Sequence, residues 1–361
     1  MKQTYKNILK FTIFMFIVFG LIIKLGELFT PKWTNGENQG QIYTIKGFYE
    51  MPKDSIDILF MGDSSIYKSV SPMQIYENLG IRSYNYSVSS ARLYMMYYQL
   101  QDILKYQKPK VLFVDTLTFF YDTKEIESER RKSFDYLKFS SIKEKMIHDD
   151  VFESSFDDKV SYYFPLLRYH SRWNEIRPKD IADLTKSHYS INKGFVMTSG
   201  VQPNTSGYEY MIPNNRKVEM QDYVKKYFYQ IVDLCKEENI DLVFIGIPDK
   251  RAWNYESSVL MNELANETNT KFFDLNDKDK YPVDWNIDSE DGGMHFNVSG
   301  AIKITDYVSK YIDDNYNFSN CRKEKECENY EKDLKVYNKR KRDTLRQLNR
   351  NIEEYDKTIT N

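Results

Sequence analysis

Cysteine is scarce in this chain, with three in 361 residues, and Cys235 stands far from Cys321 and Cys327. That excludes a disulfide-stapled scaffold, and the lack of any C-x-x-C or H-x-x-x-H pair leaves no zinc pattern, so no metal site is expected. Cys235 lies in an amphipathic stretch and reads as a buried free thiol, whereas Cys321 and Cys327 are close enough for a small local disulfide in an oxidising compartment. Charge of one sign is also missing: 51 basic against 53 acidic residues leave a net charge of −2, which speaks against a basic nucleic-acid binder. There is no glycine-rich phosphate loop, and no cofactor is expected. Histidine occurs only at 148, 170, 188 and 295, so imidazole chemistry has few candidates. What is abundant is aromatic: 30 Tyr and 22 Phe against 14 Gly, a balance read as codon bias rather than as a sugar-stacking surface. A hydrophobic content of 41% rules out a wholly disordered chain, and the length suits one or two domains.

One long apolar run exists. It is unbroken from Phe11 to Ile23, lies between Lys10 and Lys24, and extends with its flanks over residues 7–29. About 22 residues at 1.5 Å each give roughly 33 Å, enough to cross a bilayer with the lysines reaching the interfaces. No small-x-small cleavage site follows; the flank carries Glu27, Phe29, Pro31 and Trp33, so an uncleaved anchor is expected. Lys2, Lys6 and Lys10 precede the span and keep the N-terminus in the cytoplasm, which puts the remainder outside the cell membrane as a single-pass protein.

Beyond a linker expected over residues 31–54, apolar runs alternate with helical patterns. Strands are expected at Ile56 to Met61, Arg82 to Val88, Val111 to Thr116, Asp241 to Ile247 and Lys271 to Leu275. Helices fall between them, and a last one follows Asn297. Residues 120–215 break the rhythm and read as an insertion or cap in a domain spanning 55–320. Continuous apolar strands alternating with helices imply an α/β fold with a parallel sheet covered on both faces, its site at the carboxyl ends of the strands. Residues 321–361 hold 12 basic and 9 acidic side chains and read as a charged helix. Leu345, Leu348, Ile352 and Tyr355 form a short seam on it, with a solvated face favoured over packing on a partner or on the domain.

Ser64 follows the first strand in Gly62-Asp63-Ser64-Ser65, ahead of a helix, where its hydroxyl is accessible and backbone N–H groups can face a developing oxyanion. Taken alone, that segment is better explained by a helix cap. At the other end, His295 lies in Asp291-Gly-Gly-Met-His-Phe-Asn-Val-Ser-Gly300, so a base and a carboxylate share one loop before the final helix. Two such signals, both at strand-to-helix loops on one sheet edge, are better explained together than apart. Asp249, Lys250 and Arg251 follow the fourth strand and suit either a charged substrate or a solvated loop.

The block Phe60 to Ser65 resembles the nucleophile block of SGNH/GDSL hydrolases, and Asp291 to Gly300 resembles their closing Asp-x-x-His block. Lys108-Pro109-Lys110 and the run from His295 to Ala301 are similar to the membrane-anchored branch of polysaccharide O-acetyltransferases and the teichoic-acid D-alanylation accessory protein. The resemblance covers about residues 55–116 and 240–312. It implies a flavodoxin-like three-layer α/β/α fold, with Ser64 as nucleophile, His295 as base and Asp291 as acid. Family spacing puts the acid three residues before the histidine, which is Gly292 here, so Asp288 is a second candidate. Asn85 to Ser90 matches the second block, so the oxyanion donors would be the N–H groups of Ser64 and Ser90. The block-three asparagine is absent, and Thr116 or Thr118 would lend a hydroxyl. Tyr169-His170-Ser171-Arg172-Trp173 looks like a motif of the same branch and implies substrate-binding roles for His170 and Arg172, although a surface histidine is the plainer explanation. The resemblance further implies acyl transfer to a cell-surface glycan or polyol, with the acyl group supplied by a multi-span membrane-bound O-acyltransferase. The rival is a non-catalytic scaffold or glycan-binding subunit, which the missing asparagine favours.

Overall fold

The computed structural model describes residues 2–121 and 127–360. Five strands make one parallel sheet: β1 (Ile58–Met61), β2 (Ser83–Asn85), β3 (Val111–Asp115), β4 (Asp241–Gly246) and β5 (Lys271–Asp274), in the order β2-β1-β3-β4-β5. This is the flavodoxin-like order, with β1 and β3 central and fully buried. Successive residues point to opposite faces. Leu59, Met61, Leu112, Val114, Leu242 and Phe244 therefore feed one core layer, while Ile58, Phe60, Val111, Phe113, Val243 and Ile245 feed the other.

The helices in chain order are α1 (Lys2–Phe29), α2 (Gln41–Phe48), α3 (Ser64–Ser69), α4 (Pro72–Leu79), α5 (Leu93–Ile103), α6 (Glu127–Phe134) and α7 (Ser141–Ile147). They continue as α8 (Phe156–Tyr163), α9 (Pro165–Tyr169), α10 (Pro178–Ala182), α11 (Asp222–Glu237), α12 (Tyr255–Thr268), α13 (Val298–Asn315) and α14 (Glu328–Thr360). Local chemistry sets several boundaries. The Ser71 hydroxyl accepts from Gln74 N–H at the start of α4, Pro72 takes its first turn, and Gly80 closes it in the left-handed region. α3, α4 and α13 cover the second layer, with Ile66, Ile75, Ile304, Val308 and Ile312 buried in it.

Three expectations need revision. Residues 31–54 are not merely a linker, because α2 puts Ile42, Ile45 and Phe48 into the first core layer. The expected insertion carries helices α6 to α10, with residues 122–126 outside those described, and its far end returns to the sheet. There the Asn85 N–H donates to Lys193 O and the Val196 N–H to Tyr67 O, which covers the β2 edge.

The C-terminal helix also differs from the solvated face expected of it. α14 lies along α4 and α13 and buries Tyr330, Tyr337 and Leu348. A Cys321–Cys327 disulfide precedes it, and Cys235 is a free buried thiol. Lys341 pairs with Glu77 at 2.5 Å, the Ser71 hydroxyl donates to Tyr337 at 2.9 Å, and Asp333 pairs with the buried Lys193. Asp333 and Lys341 apart, most of the charges that suggested exposure belong to the outward half of an amphipathic helix. Leu348→Ala should therefore destabilise the fold by about 2–4 kcal/mol in chemical denaturation. Arg346→Ala, on the exposed face, should stay within about 0.5 kcal/mol of wild type.

Candidate active site

β1 ends at Met61, and the chain turns into α3 through Gly62 and Asp63. The turn needs glycine, since a Cβ on Gly62 would stand 2.5 Å from Asp115 Cβ. Asp63 caps α3 by accepting from the Ser65 N–H at 2.8 Å, which puts Ser64 at the first helical position, where an N–H has no intrahelical acceptor. The loop before α13 supplies the facing groups. Asn297 caps α13 and also donates from its amide to Gly200 O and Ile287 O, holding the loop to its neighbours.

Ser64 and His295 meet across 231 positions of sequence. The Ser64 hydroxyl lies 2.8 Å from His295 Nε2, and His295 Nδ1 lies 2.5 Å from Asp291 Oδ2. A carboxylate can only accept, so Nδ1 carries the hydrogen and Nε2 is left to accept from Ser64. The four-residue separation of acid and base is absorbed by Gly292 and Gly293, at φ of 83° and 109°, which curl the loop so that Asp291 also accepts from the Met294 and His295 N–H groups. Burial would raise the Asp291 carboxyl, but the His295 ring and these N–H groups outweigh it and hold the value down to about 2.

Asp288, the other candidate acid, is fully buried and turned away. Its Oδ2 accepts from Lys303 Nζ at 2.6 Å and from the Asp284 N–H at 2.7 Å. Ser90 has a positive φ of 56°, and its N–H donates to no acceptor among the described residues. Thr116 is not poised over Ser64, because its hydroxyl and N–H both point to Ile245 O. The Thr118 hydroxyl is buried, with no partner among the described residues. His170 and Arg172 do not join Ser64, His295 and Asp291 either. They belong to a 3-10 turn, His170–Asn174, beside α1, where His170 Nδ1 lies 3.0 Å from Leu167 O and Arg172 donates to Phe29 O and Glu175. Arg172 is thus committed to the base of α1.

Several site residues escape a sequence reading. Lys68, one turn beyond Ser64 on α3, pairs at 2.6 Å with Glu290, the residue before Asp291, and Thr198 donates to the same carboxylate. The returning end of the insertion buttresses the loop: Gln202 N–H donates to Ser289 O, Gly292 N–H to Gln202 O, and the Asn204 amide to Gly292 O. Beneath Ser64, the Ser65 hydroxyl donates to Asp115 at 2.6 Å. Burial first, and the neighbouring Asp63 second, hold Asp115 protonated well above the usual carboxylate range. The register Met61↔Val114 is the signal that could have found this pair, since it brings the two strand ends side by side. A depression of about 900 Å³, lined by Asn204, Lys250, Trp285 and Lys303 among others, contains neither Ser64 nor His295.

No family model matches the chain, and no curated protein matches it. Among solved structures, a "putative acylhydrolase" from Bacteroides fragilis NCTC 9343 is similar at 11% identity and a TM-score of 0.37, over 78% of this chain and 98% of that one.

Asp249 lies near His295 and Asp63 and accepts from the Arg251 and Ala252 N–H groups. Burial, the largest influence, pushes its carboxyl up to about 6. A carboxyl raised in the fold binds its proton more tightly there than in the unfolded chain, so stability falls as pH rises from about 4 through 6. Against Asp249→Asn, the wild-type chain should lose on the order of 3 kcal/mol across that window in urea unfolding. Parallel stability curves for the two proteins would contradict the assignment.

Proposed function

We propose that this chain is a membrane-anchored serine acyltransferase or esterase that acylates a hydroxyl of a cell-surface polysaccharide or polyol through an acyl-serine intermediate. The observation that carries this reading is the continuous hydrogen-bonded line Ser64–His295–Asp291 at the carboxyl edge of a parallel sheet. His295 takes the Ser64 proton as the hydroxyl oxygen attacks the acyl carbonyl, and Asp291 stabilises the imidazolium. The N–H groups of Ser64 and Ser90 hold the oxyanion, with no side-chain donor from Thr116. Collapse expels the leaving group, which takes the proton from His295, and leaves an ester on Ser64. An acceptor hydroxyl then gives its proton to His295 and attacks that ester, restoring Ser64; where water enters instead, the product is the free acid.

The location is supported by α1, in which residues Gln3–Phe29 are long and apolar enough to cross a membrane. The acceptor class, acetyl as the transferred group and a multi-span membrane-bound O-acyltransferase as donor come from the resemblance of Lys108-Pro109-Lys110 and the run from His295 to Ala301, while the extracytoplasmic placement comes from Lys2, Lys6 and Lys10 ahead of the span.

With p-nitrophenyl acetate, Ser64→Ala should abolish the burst and lower turnover on the order of 10⁶-fold, and mass spectrometry should find one acyl group on Ser64 in the wild-type chain alone. A retained burst in that variant would sink the nucleophile. An unmodified Ser64 in the wild-type chain would favour the non-catalytic scaffold. Asp291→Asn should cost turnover about 10⁴-fold, since the wrong tautomer is then held. Asp288→Asn should instead lower thermal stability, because it leaves Lys303 without its partner, and near-normal turnover is expected from the folded fraction.

A further inference from the structure

We propose that α9, the 3-10 turn His170–Asn174 and α10 form a collar that sits in the headgroup–acyl boundary of the lipid leaflet adjoining the domain. The inference rests on reading α1 as a membrane anchor. All three elements pack against α1. Phe164, which joins α8 to α9, meets Phe19 edge-on at 6.4 Å between ring centroids, and a Cβ on Gly26 would lie 3.6 Å from Leu166 N and from Pro165 Cδ. Arg172 closes the contact by donating to Phe29 O.

Depth follows from helix geometry. Phe19 lies five residues inside Lys24, which follows the end of the unbroken apolar run, and at 1.5 Å per residue that is about 7.5 Å below the level Lys24 marks. Interfacial segments bury their apolar faces by a similar amount, roughly 5–10 Å. A part of the domain that touches Phe19 is therefore at membrane depth if α1 spans.

Side chains agree with that position. Each of the three elements turns one large apolar group outward: Leu167 on α9, Trp173 on the 3-10 turn and Ile181 on α10, at 57%, 73% and 58% exposure. Tryptophan is enriched at the headgroup level, where its ring is apolar and its N–H is wet. Arg177 and Lys179 are exposed beside them and suit lipid phosphates. The occupant is lipid rather than a soluble partner because the contact with α1 fixes the patch at the level of an apolar span.

The test uses the full chain in nanodiscs of phosphatidylcholine and phosphatidylglycerol, with single spin labels on Leu167→Cys, Trp173→Cys and Ile181→Cys. Phe14→Cys reports on the anchor, and Tyr208→Cys, exposed at a loop in the domain, reports on water. Power saturation should give the three collar labels an oxygen-to-nickel-chelate accessibility ratio several-fold above that at Tyr208 and below that at the deeper Phe14. If Phe14 is lipid-exposed while the collar labels match Tyr208, the collar is overturned and the anchor stands. If Phe14 itself is open to the nickel chelate, the anchor reading fails and takes the collar with it.

Discussion

A hydroxyl at position 64 and an imidazole at position 295 can hydrogen-bond only if the turn after β1 and the loop before α13 are fixed to each other as well as to the sheet. The pairing of Lys68 with Glu290 supplies that tie, because each residue lies within one helical turn or one loop position of the group it steadies. Asn297 adds a second fixation from the helix cap, and the Gln202 and Asn204 contacts add a third from the insertion. An ion pair at this depth is useful for position more than for stability, since desolvation offsets much of its attraction.

Electrostatic contrast among the acids follows from their surroundings. Asp291 is half exposed and receives hydrogen bonds from an imidazole and two N–H groups, so it stays ionised. Asp115 lies under the sheet edge with Asp63 for company and keeps its proton. Asp249 stands between these extremes. Of these three, Asp291 is the one held charged by the groups around it, which singles it out as the partner of His295.

Much of this was legible in the sequence for physical reasons. Buried parallel strands must be continuously apolar, so β1, β3 and β4 announced themselves, and their alternation with helices gave the layered fold. Ser64 and His295, with Asp291 and Asp288 as alternative acids, stood out because two loops rich in Gly, Asp and Ser fall at strand-to-helix turns and resemble two blocks of one family. What stayed hidden depends on long-range contact. α2 looked like a linker because its few apolar residues are interspersed and flanked with Gly, Asn, Gln and Lys, and it is buried only through partners from elsewhere. α14 looked solvated because its charge count conceals a stripe of Tyr and Leu. His170 and Arg172 carried a plausible motif, yet their place is set by the packing of α9 on α1, which no local pattern encodes. Asp288 and Asp291 could be separated only by direction, one carboxylate toward Lys303 and the other toward His295.

The pairing of Lys193 with Asp333 has a consequence for cooperativity. The ammonium is enclosed, and burial pulls it down to about 8 even with Asp333 beside it. Its counter-charge lies 140 residues further along the chain, on α14. With α14 undocked, the cover over the β2 edge would enclose an uncompensated cation, so the cover and α14 stabilise each other.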